Sequence, residues 1–435
     1  MDPILVGIIG ITGMCVIMFL GVQIGIAMFV TGFVGFAAIT NFDAALGLLK
    51  STPFANASNY ALTVIPLFVL MGQFAFYSGL SQELFGVSYK WLGHLRGGLS
   101  ISTIGACAGF AAICGSSPAT AATMGTVALP EMKKYGYADK LACGSVAAGG
   151  TLGILIPPSV GFILYGIIAQ QSIGRLFAAG VVPGIMLAVL YALAVSYMVR
   201  RNPELGPRGP EFSLKERLVA LKDVWGVLFL FIFIMGGMFV GIFTAKEAAA
   251  AGAFCAMLFM ISRGKMNKQT LALALTDTVR TTAMIFIILI GAYVFGYFLA
   301  ISKIPMALAS FITGLEVSKY VVLAGIICIY MLLGCIMDSL AMVLLTVPIF
   351  LPIMTSLEFD PVWMGVIMVM AMEQGLITPP VGMNVYVVKG VAKDVPLQTI
   401  FSGILPFWIC IIIAVVLLAF FPKIALFLPD LLYGK

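Results

Sequence analysis

Long apolar runs alternate with short polar segments along the whole chain. In the first part of the chain, spans are expected at about residues 4–20, 22–40, 61–79 and 177–199. A run of about twenty apolar residues is the length that an α-helix needs to cross the ~30 Å hydrocarbon core of a bilayer. The first run is followed at once by a second, so we interpret it as a true span rather than a cleavable signal peptide. The pattern therefore predicts an all-α polytopic membrane protein.

The same order of apolar runs occurs on both sides of one charged segment. Residues 1–200 form a first half, residues 201–223 a proline-containing linker, residues 224–422 a second half, and residues 423–435 a C-terminal tail. The spans expected in the second half are residues 224–243, 245–262, 281–301 and 401–421. The polar segments expected to be loops in the first half are residues 41–59 and 81–97.

Helix-breaking residues interrupt two further apolar segments in the first half. Residues 98–130 are broken at Gly115–Pro118, and neither arm is long enough to span the bilayer comfortably as an α-helix, so a re-entrant helical hairpin is predicted. Residues 141–170 form one crossing that is broken at Pro157–Pro158. The corresponding segments of the second half are a hairpin at residues 320–352 and a broken span at residues 362–391. In lipid, such breaks are tolerated only where they are buried in protein or line a cavity.

A constant offset in residue number relates the breaks in the two halves. Pro157 is separated from Pro379 by the same length of chain that separates Gly153 from Gly375. A fixed offset across several features indicates an internal repeat. Each half is expected to hold five crossings and one hairpin, and because five is odd, the second half would enter the membrane in the opposite direction. The pattern predicts an inverted repeat, whose paired breaks are the best sequence indication of a transporter's binding site.

The distribution of basic residues predicts the orientation. If the linker at residues 201–223 is cytoplasmic, 17 of the 24 basic residues lie in segments that face the cytoplasm and 7 lie outside. Cytoplasmic loops of membrane proteins carry an excess of Lys and Arg. We therefore expect a cytoplasmic linker and two periplasmic termini.

The breaks provide groups that can bind an anion. Ser117 and Pro118 are typical of a helix start, with Ser at the N-cap and Pro at the first helical position, and Asp338–Ser339 has the same character. A helix that starts at the membrane midplane directs free N–H groups and the positive end of its dipole into the protein, which suits a carboxylate. The candidate substrate-binding residues are Ser116, Ser117, Pro118, Thr120, Asp338 and Ser339.

The same breaks leave carbonyl oxygens free for a small hard cation. We expect one cation between the first hairpin and the first broken span, and a second in the matching place of the other half. The alternatives are that the breaks are only kinks, since Pro and Gly often bend membrane helices, or that protons drive transport through Asp338 or Glu373. Glu373 could instead cap a backbone group or face a wet crevice. We favour sodium, because Ser116 and Thr151 stand in the first half where Asp338 and Glu373 stand in the second.

Composition excludes several other functions. The chain is 62% hydrophobic and only 10% charged, and its net charge of +6 comes from residues in loops between spans, so no nucleic-acid interface is expected. The eight cysteines show no CxxC or other metal-ligand spacing. The chain lacks a GxxxxGKST nucleotide-binding loop, so we do not expect an ATP-hydrolysing enzyme.

Three motifs resemble one transporter family. The segments GSSPATAATMG (115–125), GGTLGILIPPS (149–159) and QGLITPPVGMN (374–384) resemble, in this order, the large membrane subunit of a TRAP (tripartite ATP-independent periplasmic) transporter. The resemblance covers nearly the whole chain. It implies an elevator-type fold related to divalent-anion/sodium symporters, in a bacterial inner membrane. It also implies coupling to Na⁺ at about two sites.

The resemblance also implies site residues and partners. Several of the sodium ligands would act through backbone carbonyls. Carried onto this chain, the ligands are Ser116, Ser117, Gly153, Pro157, Gly334, Asp338, Gly375, Thr378 and Val381. The expected partners are a small four-helix membrane subunit on a separate chain, since no four-span region precedes Met1, and a periplasmic binding protein that delivers an organic acid such as a C4-dicarboxylate or sialic acid. The alternatives are a stand-alone sodium or proton symporter and an anion channel.

Overall fold

The computed structural model describes residues 2–314, 317–335 and 337–434, which form α-helices joined by short connections. Ile336 in the second predicted hairpin, and the terminal residues Met1 and Lys435, lie outside the described residues. No β-strand occurs in the part of the chain that the structure describes. The all-helical class predicted from the apolar runs is confirmed.

The helices of the first half include two that the polarity pattern did not predict. They are α1 (Pro3–Phe19), α2 (Ile24–Ile39), α3 (Phe42–Ala57), α4 (Val64–Tyr77), α5 (Leu80–Leu92), α6 (Gly98–Cys114), α7 (Ser117–Lys134), α8 (Asp139–Leu155), α9 (Val160–Ile168) and α10 (Ile173–Arg201). The expectation of loops at residues 41–59 and 81–97 was wrong, because α3 and most of α5 occupy these segments. The Asn41 side chain caps α3 by accepting a hydrogen bond from the Ala44 N–H at 2.8 Å. The polar residues of these segments predict loops, but in the structure they belong to partly exposed helices.

The linker and second half are also helical for most of their length. They contain α11 (Leu214–Ala220), α12 (Trp225–Phe231), α13 (Gly237–Phe239), α14 (Ala245–Ser262), α15 (Lys268–Ser302), α16 (Ile304–Gly314), α17 (Lys319–Gly334), α18 (Ser339–Ser356), α19 (Pro361–Gly375), α20 (Met383–Val391), α21 (Leu397–Phe420) and α22 (Lys423–Tyr433). The span expected at residues 281–301 is only the second part of α15, which has 35 residues. Its start is fixed by a reciprocal cap between Asn267 and Thr270. The C-terminal tail is the helix α22.

Several helices are long and apolar enough to cross a membrane. Within the described residues seven helical segments meet this condition, or eight if one bent pair is counted as a span. The apolar helices α1, α2, α6 and α17 have 16 or 17 residues and are shorter. A multi-pass membrane protein follows from these lengths, and the ten crossings stay a prediction.

Hairpins and broken helices occur in the same order in both halves. The second arms of the hairpins, α7 and α18, begin at Ser117 and Ser339. The following helices, α8 and α19, begin at Asp139 and Pro361, with the same offset in residue number. The peptide bonds Pro157–Pro158 and Pro379–Pro380 in the breaks are both cis. The inverted relation of the halves in the membrane stays a prediction.

The helices α8 and α19 form the centre of the molecule. Every residue of α8 from Leu141 to Leu155 is buried, as is every residue of α19 from Val362 to Gly375. Both helices are largely apolar all round, which is typical of helices in the interior of a protein or in a membrane. The helices α6, α7 and α21 pack around α8, and α17, α18 and α21 pack around α19. The tips of both hairpins are thereby held against these two central helices.

An ion pair joins the two halves outside the apolar region. Lys133 near the end of α7 pairs with Asp394 in the loop after α20. The hydrogen bond and the charge of Lys133 hold the pKa of Asp394 below its usual range. Both side chains are largely exposed, so solvent screens the pair and it contributes little to stability.

Candidate functional site between the hairpin tips

The tips of the two hairpins meet at one cavity. The cavity has a volume of about 570 Å³ and is lined by residues of both tips, of both broken helices, and of α2, α4 and α15. Its volume lies within the range of roughly 300–1,000 Å³ that is typical of small-molecule sites. Four of the six predicted substrate-binding residues line it: Ser116, Pro118, Asp338 and Ser339.

The first tip is a tight turn between α6 and α7. Gly115 ends α6 with a φ of +65°, and a Cβ atom there would lie 2.7 Å from the Pro158 carbonyl oxygen. The N-cap of α7 is Ser116, not Ser117 as the sequence suggested. The backbone N–H and the hydroxyl of Thr120 both donate to the Ser116 carbonyl oxygen, at 3.0 Å and 2.8 Å. Thr120 therefore braces the first turn of α7 and does not line the cavity.

The first turn of α7 keeps backbone N–H groups available to a ligand. The Ser116 side chain makes no capping hydrogen bond, and Pro118 has no N–H group. The N–H groups of Ser117 and Ala119 precede the first helical hydrogen bond, so the helix itself does not pair them. Pro118 and Ala119 line the cavity. This helix terminus is the most anion-attracting part of the site.

Ser117 points away from the cavity. Its side chain is fully buried, and its hydroxyl lies 3.2 Å from the Thr151 carbonyl oxygen and 3.3 Å from each carboxyl oxygen of Glu373. The prediction placed Ser117 in the substrate site, whereas the structure directs its hydroxyl to α8 and α19.

The second tip has a different cap. The Asp338 carboxylate accepts a hydrogen bond from the Leu340 N–H at 3.1 Å, so an acidic side chain already occupies the N-terminus of α18. Ser339 is buried beside it at the cavity wall. The two tips therefore differ electrostatically, although they occupy corresponding positions in the halves.

The wall opposite the tips supplies polar groups that the sequence analysis missed. Gln23, Gln73 and Thr281 line the cavity from the region of α2, α4 and α15. Among the described residues, no Lys, Arg or His lines it. Single amides inside apolar runs, such as Gln73 in LMGQFAF, are a signal that could have found them, because polar side chains in spans are expensive and usually functional.

Three of the four predicted cation ligands of the first half, Ser116, Ser117 and Gly153, lie close together. A Cβ atom at Gly153 would lie 2.6 Å from the Ser116 carbonyl oxygen and 2.9 Å from the Ser117 Cα atom. Pro157 is buried at the break that follows α8. The structure thus brings Gly153 against the tip formed by Ser116 and Ser117.

The predicted ligands of the second half are only partly brought together. A Cβ atom at Gly375 would overlap the Gly334 carbonyl oxygen, so the backbones of α19 and α17 are in direct contact. The Thr378 hydroxyl donates to the Gln374 backbone carbonyl. Val381 is 41% exposed, outside the packed interior. Asp338 lies at the second tip, on the wall of the cavity.

Gln374 organises the second break, although no pattern in the sequence selected it. Its side-chain NH₂ group donates to the Met331 carbonyl of α17 at 2.9 Å. Its amide oxygen accepts from the Trp408 indole N–H at 2.9 Å and lies 3.2 Å from the Thr378 hydroxyl. Gln374 therefore ties Thr378 to the hairpin and to α21.

The donor set available to a cation is oxygen-rich. Among the described residues, no group of three or more His, Cys, Asp or Glu side chains could hold a metal ion. The groups near the breaks are instead oxygens, such as the Ser116 and Gly334 carbonyl oxygens and the Thr378 hydroxyl. Such oxygens suit hard cations rather than the softer transition metals.

The sequence is similar to a set of characterised transport proteins. Residues 11–424 match the family described as "Tripartite ATP-independent periplasmic transporter, DctM component". The C4-dicarboxylate TRAP transporter large permease protein DctM of Pseudomonas aeruginosa is 37% identical over 87% of this chain and 88% of that protein. The sialic acid TRAP transporter large permease protein SiaM of Vibrio cholerae is 32% identical over 96% of this chain and 97% of that protein. The ectoine/5-hydroxyectoine TRAP transporter large permease protein UehC of Ruegeria pomeroyi is 31% identical over 97% of this chain and 98% of that protein.

Two solved structures share the fold. The YdaH transporter of Alcanivorax borkumensis superposes with a TM-score of 0.55 and 16% identity, over 87% of this chain and 89% of that one. MtrF of Neisseria gonorrhoeae superposes with a TM-score of 0.57 and 14% identity, over 89% of this chain and 84% of that one. At these identities the likeness concerns the fold alone.

Proposed function

We propose that this chain, which belongs to the DctM family of large permease subunits of TRAP transporters, imports an organic acid by sodium-coupled secondary transport. The observation that carries the proposal is the cavity of about 570 Å³ at which the tips of both hairpins meet. Related permeases are named for C4-dicarboxylate, sialic acid and ectoine, which all contain a carboxylate group. A carboxylate is therefore the substrate class assigned to the cavity.

The substrate carboxylate binds at the first tip. The start of α7 offers unpaired N–H groups, and its cap residue Ser116 leaves them free. At the second tip the Asp338 carboxylate already interacts with the start of α18 and would repel an anion. Gln23 and Gln73 supply neutral hydrogen-bond donors from the opposite wall. An anion held by helix dipoles and amides leaves more easily than one paired with a buried Arg or Lys, as a transported substrate must.

Sodium is the coupling ion. In the first half the ligands are oxygens near Ser116, Ser117, Gly153 and Pro157, where the backbones of the tip and of α8 are in contact. In the second half they lie near Gly334, Gly375 and Thr378. Asp338 and Val381 join the ligands of the second half only if the break between α19 and α20 rearranges when sodium binds. Glycines at both contacts let carbonyl oxygens approach closely enough to share one ion.

Transport proceeds by an elevator movement. The moving group comprises the hairpins α6–α7 and α17–α18 with the broken helices α8–α9 and α19–α20. The remaining group contains α1, α2 and α14, with α15 packed along α2 and α4 packed along α14. The cavity lies between the two groups, so a displacement of one against the other would expose it to alternate sides.

The chain works in the bacterial inner membrane with two partners. These are a small membrane subunit and a periplasmic binding protein that delivers the substrate. In the related isethionate TRAP transporter permease DctMQ of Oleidesulfovibrio alaskensis, this chain matches only 62% of the length, which leaves room for a fused second part. Both termini of this chain are assigned to the periplasm.

Reconstitution into vesicles tests the proposal against its alternatives. Uptake that requires both a sodium gradient and the binding protein fits the proposal. Uptake without the binding protein would indicate a stand-alone symporter, and flux that follows the substrate gradient alone would indicate an anion channel.

Thr378→Val tests the coupling ion. The substitution removes an oxygen and keeps the side-chain shape, so the sodium concentration for half-maximal uptake should rise about tenfold, as expected for one lost polar contact. A pH gradient should drive no uptake in the wild type. If a pH gradient drives uptake in sodium-free buffer, and if Thr378→Val hardly changes that uptake, the coupling ion is the proton and not sodium.

A further inference from the structure

We propose that Glu373 is a positioning residue that holds the first hairpin tip in its binding orientation. Its carboxyl group, from the second half, anchors the Ser117 hydroxyl at the start of α7 in the first half. The inference rests on the proposed function, since it names the residue that keeps the substrate-binding end of α7 in place.

The anchor lies on the side of α7 that faces away from the cavity. Glu373 is 1% exposed, and Ser117 is fully buried. The residues on either side, Ser116, Pro118 and Ala119, line the cavity. Because Glu373 holds Ser117 inward, it sets the rotation of the first turn of α7, so that Ser116, Pro118 and Ala119 face the ligand.

The cluster around Ser117 has more acceptors than donors. One hydroxyl carries one hydrogen, yet the Ser117 hydroxyl lies within 3.3 Å of the Thr151 carbonyl and of both Glu373 oxygens. The Thr151 hydroxyl is within 2.9 Å of the Tyr191 hydroxyl, which extends the network to α10. A Gln side chain at position 373 has the same shape and adds an NH₂ donor, so it should keep Ser117 anchored.

Among the described residues of the second tip, the anchor has no counterpart. The residue of the first half that corresponds to Glu373 is Thr151, and the residue of the second half that corresponds to Ser117 is Ser339. Ser339 lines the cavity, and its hydroxyl has no hydrogen-bond partner among the described residues. Within the part of the chain that the structure describes, the first tip alone is fixed by a carboxyl group from the opposite half.

A labelling experiment tests the anchor without transport. Cys114 lines the cavity at the same tip, so the rate at which a maleimide modifies it reports the tip's orientation. In the purified full chain, the rate is read by mass spectrometry of the peptide that carries Cys114. Glu373→Ala should change the rate about tenfold, as expected for a lost buried hydrogen bond, and Glu373→Gln should leave it within about threefold. Met372→Ala, which opens a cavity in the same helix without touching the network, should leave it unchanged.

Reconstituted uptake then tests the role in transport. Glu373→Ala should raise the substrate concentration for half-maximal uptake about tenfold, and Glu373→Gln should restore it. Adding Ser117→Ala to Glu373→Ala should cause no further change in the rate of Cys114 labelling, because the contact is already gone. Adding Ser339→Ala to Glu373→Ala should change the half-maximal substrate concentration by the same factor as Ser339→Ala does alone.

The outcomes separate the two claims. If Glu373→Gln is as damaging as Glu373→Ala, or if the effects of Ser117→Ala and Glu373→Ala on Cys114 labelling add, the positioning role is wrong. If Cys114 labelling responds as stated but the wild type shows no sodium-driven uptake, the anchor stands and the proposed function fails.

Discussion

At the scale of single residues, two glycines allow the breaks to pack against the hairpins. Gly153 lies against the carbonyl of Ser116, and Gly375 against that of Gly334. Both sit in buried helices, where Gly costs helix stability relative to Ala and needs a compensating reason. The reason here is the close approach of each glycine to a backbone carbonyl oxygen.

Gly153→Ala should weaken both stability and sodium binding. The added methyl group would lie 2.6 Å from a carbonyl oxygen, and such overpacking typically costs about 1–3 kcal/mol. Thermal unfolding in detergent and the sodium dependence of uptake measure the two effects. Gly325→Ala in α17 is the control, because a Cβ atom there meets nothing within 4 Å. Equal behaviour of the two variants would contradict the close contact.

At the scale of elements, the turn between α6 and α7 decides where α7 begins. Gly115 takes a left-handed conformation and leaves no room for a side chain beside Pro158. The helix therefore restarts at once, at Ser117, with its N-terminus at the cavity.

Gly115→Ala should destabilise the protein more than Gly136→Ala. Both glycines have φ near +70°, so each variant carries the left-handed cost of about 1–2 kcal/mol. Only Gly115 also meets a carbonyl oxygen, since nothing lies within 4 Å of a Cβ atom at Gly136. Thermal unfolding and uptake of both variants measure the difference. Uptake retained by Gly115→Ala and lost by Gly136→Ala would refute a functional tip here.

At the scale of the whole molecule, the charge asymmetry predicts the orientation of the two halves. The linker carries basic residues and a capped helix, α11, whose Ser213 and Glu216 form a reciprocal cap. Segments of this kind stay in the cytoplasm because Lys and Arg are translocated poorly.

A cysteine placed in the linker tests the orientation. In a variant that carries Lys222→Cys, impermeant thiol reagents should label position 222 only from the cytoplasmic side, and the chain that retains Lys222 is the control. Labelling of the linker in cells whose outer membrane alone is opened would overturn the inverted arrangement.

The sequence alone determined the helical class, the positions of the four breaks and the family. These depend on apolar run length, helix-breaking residues and motifs, which are local properties of the chain. It did not reveal α3 and α5, whose polar residues are compatible with either a loop or an exposed helix. Nor did it separate Ser116, which faces the cavity, from Ser117, which faces Glu373. That distinction depends on how α7 is rotated against α8 and α19, and only packing between segments that are distant in the chain decides such a rotation.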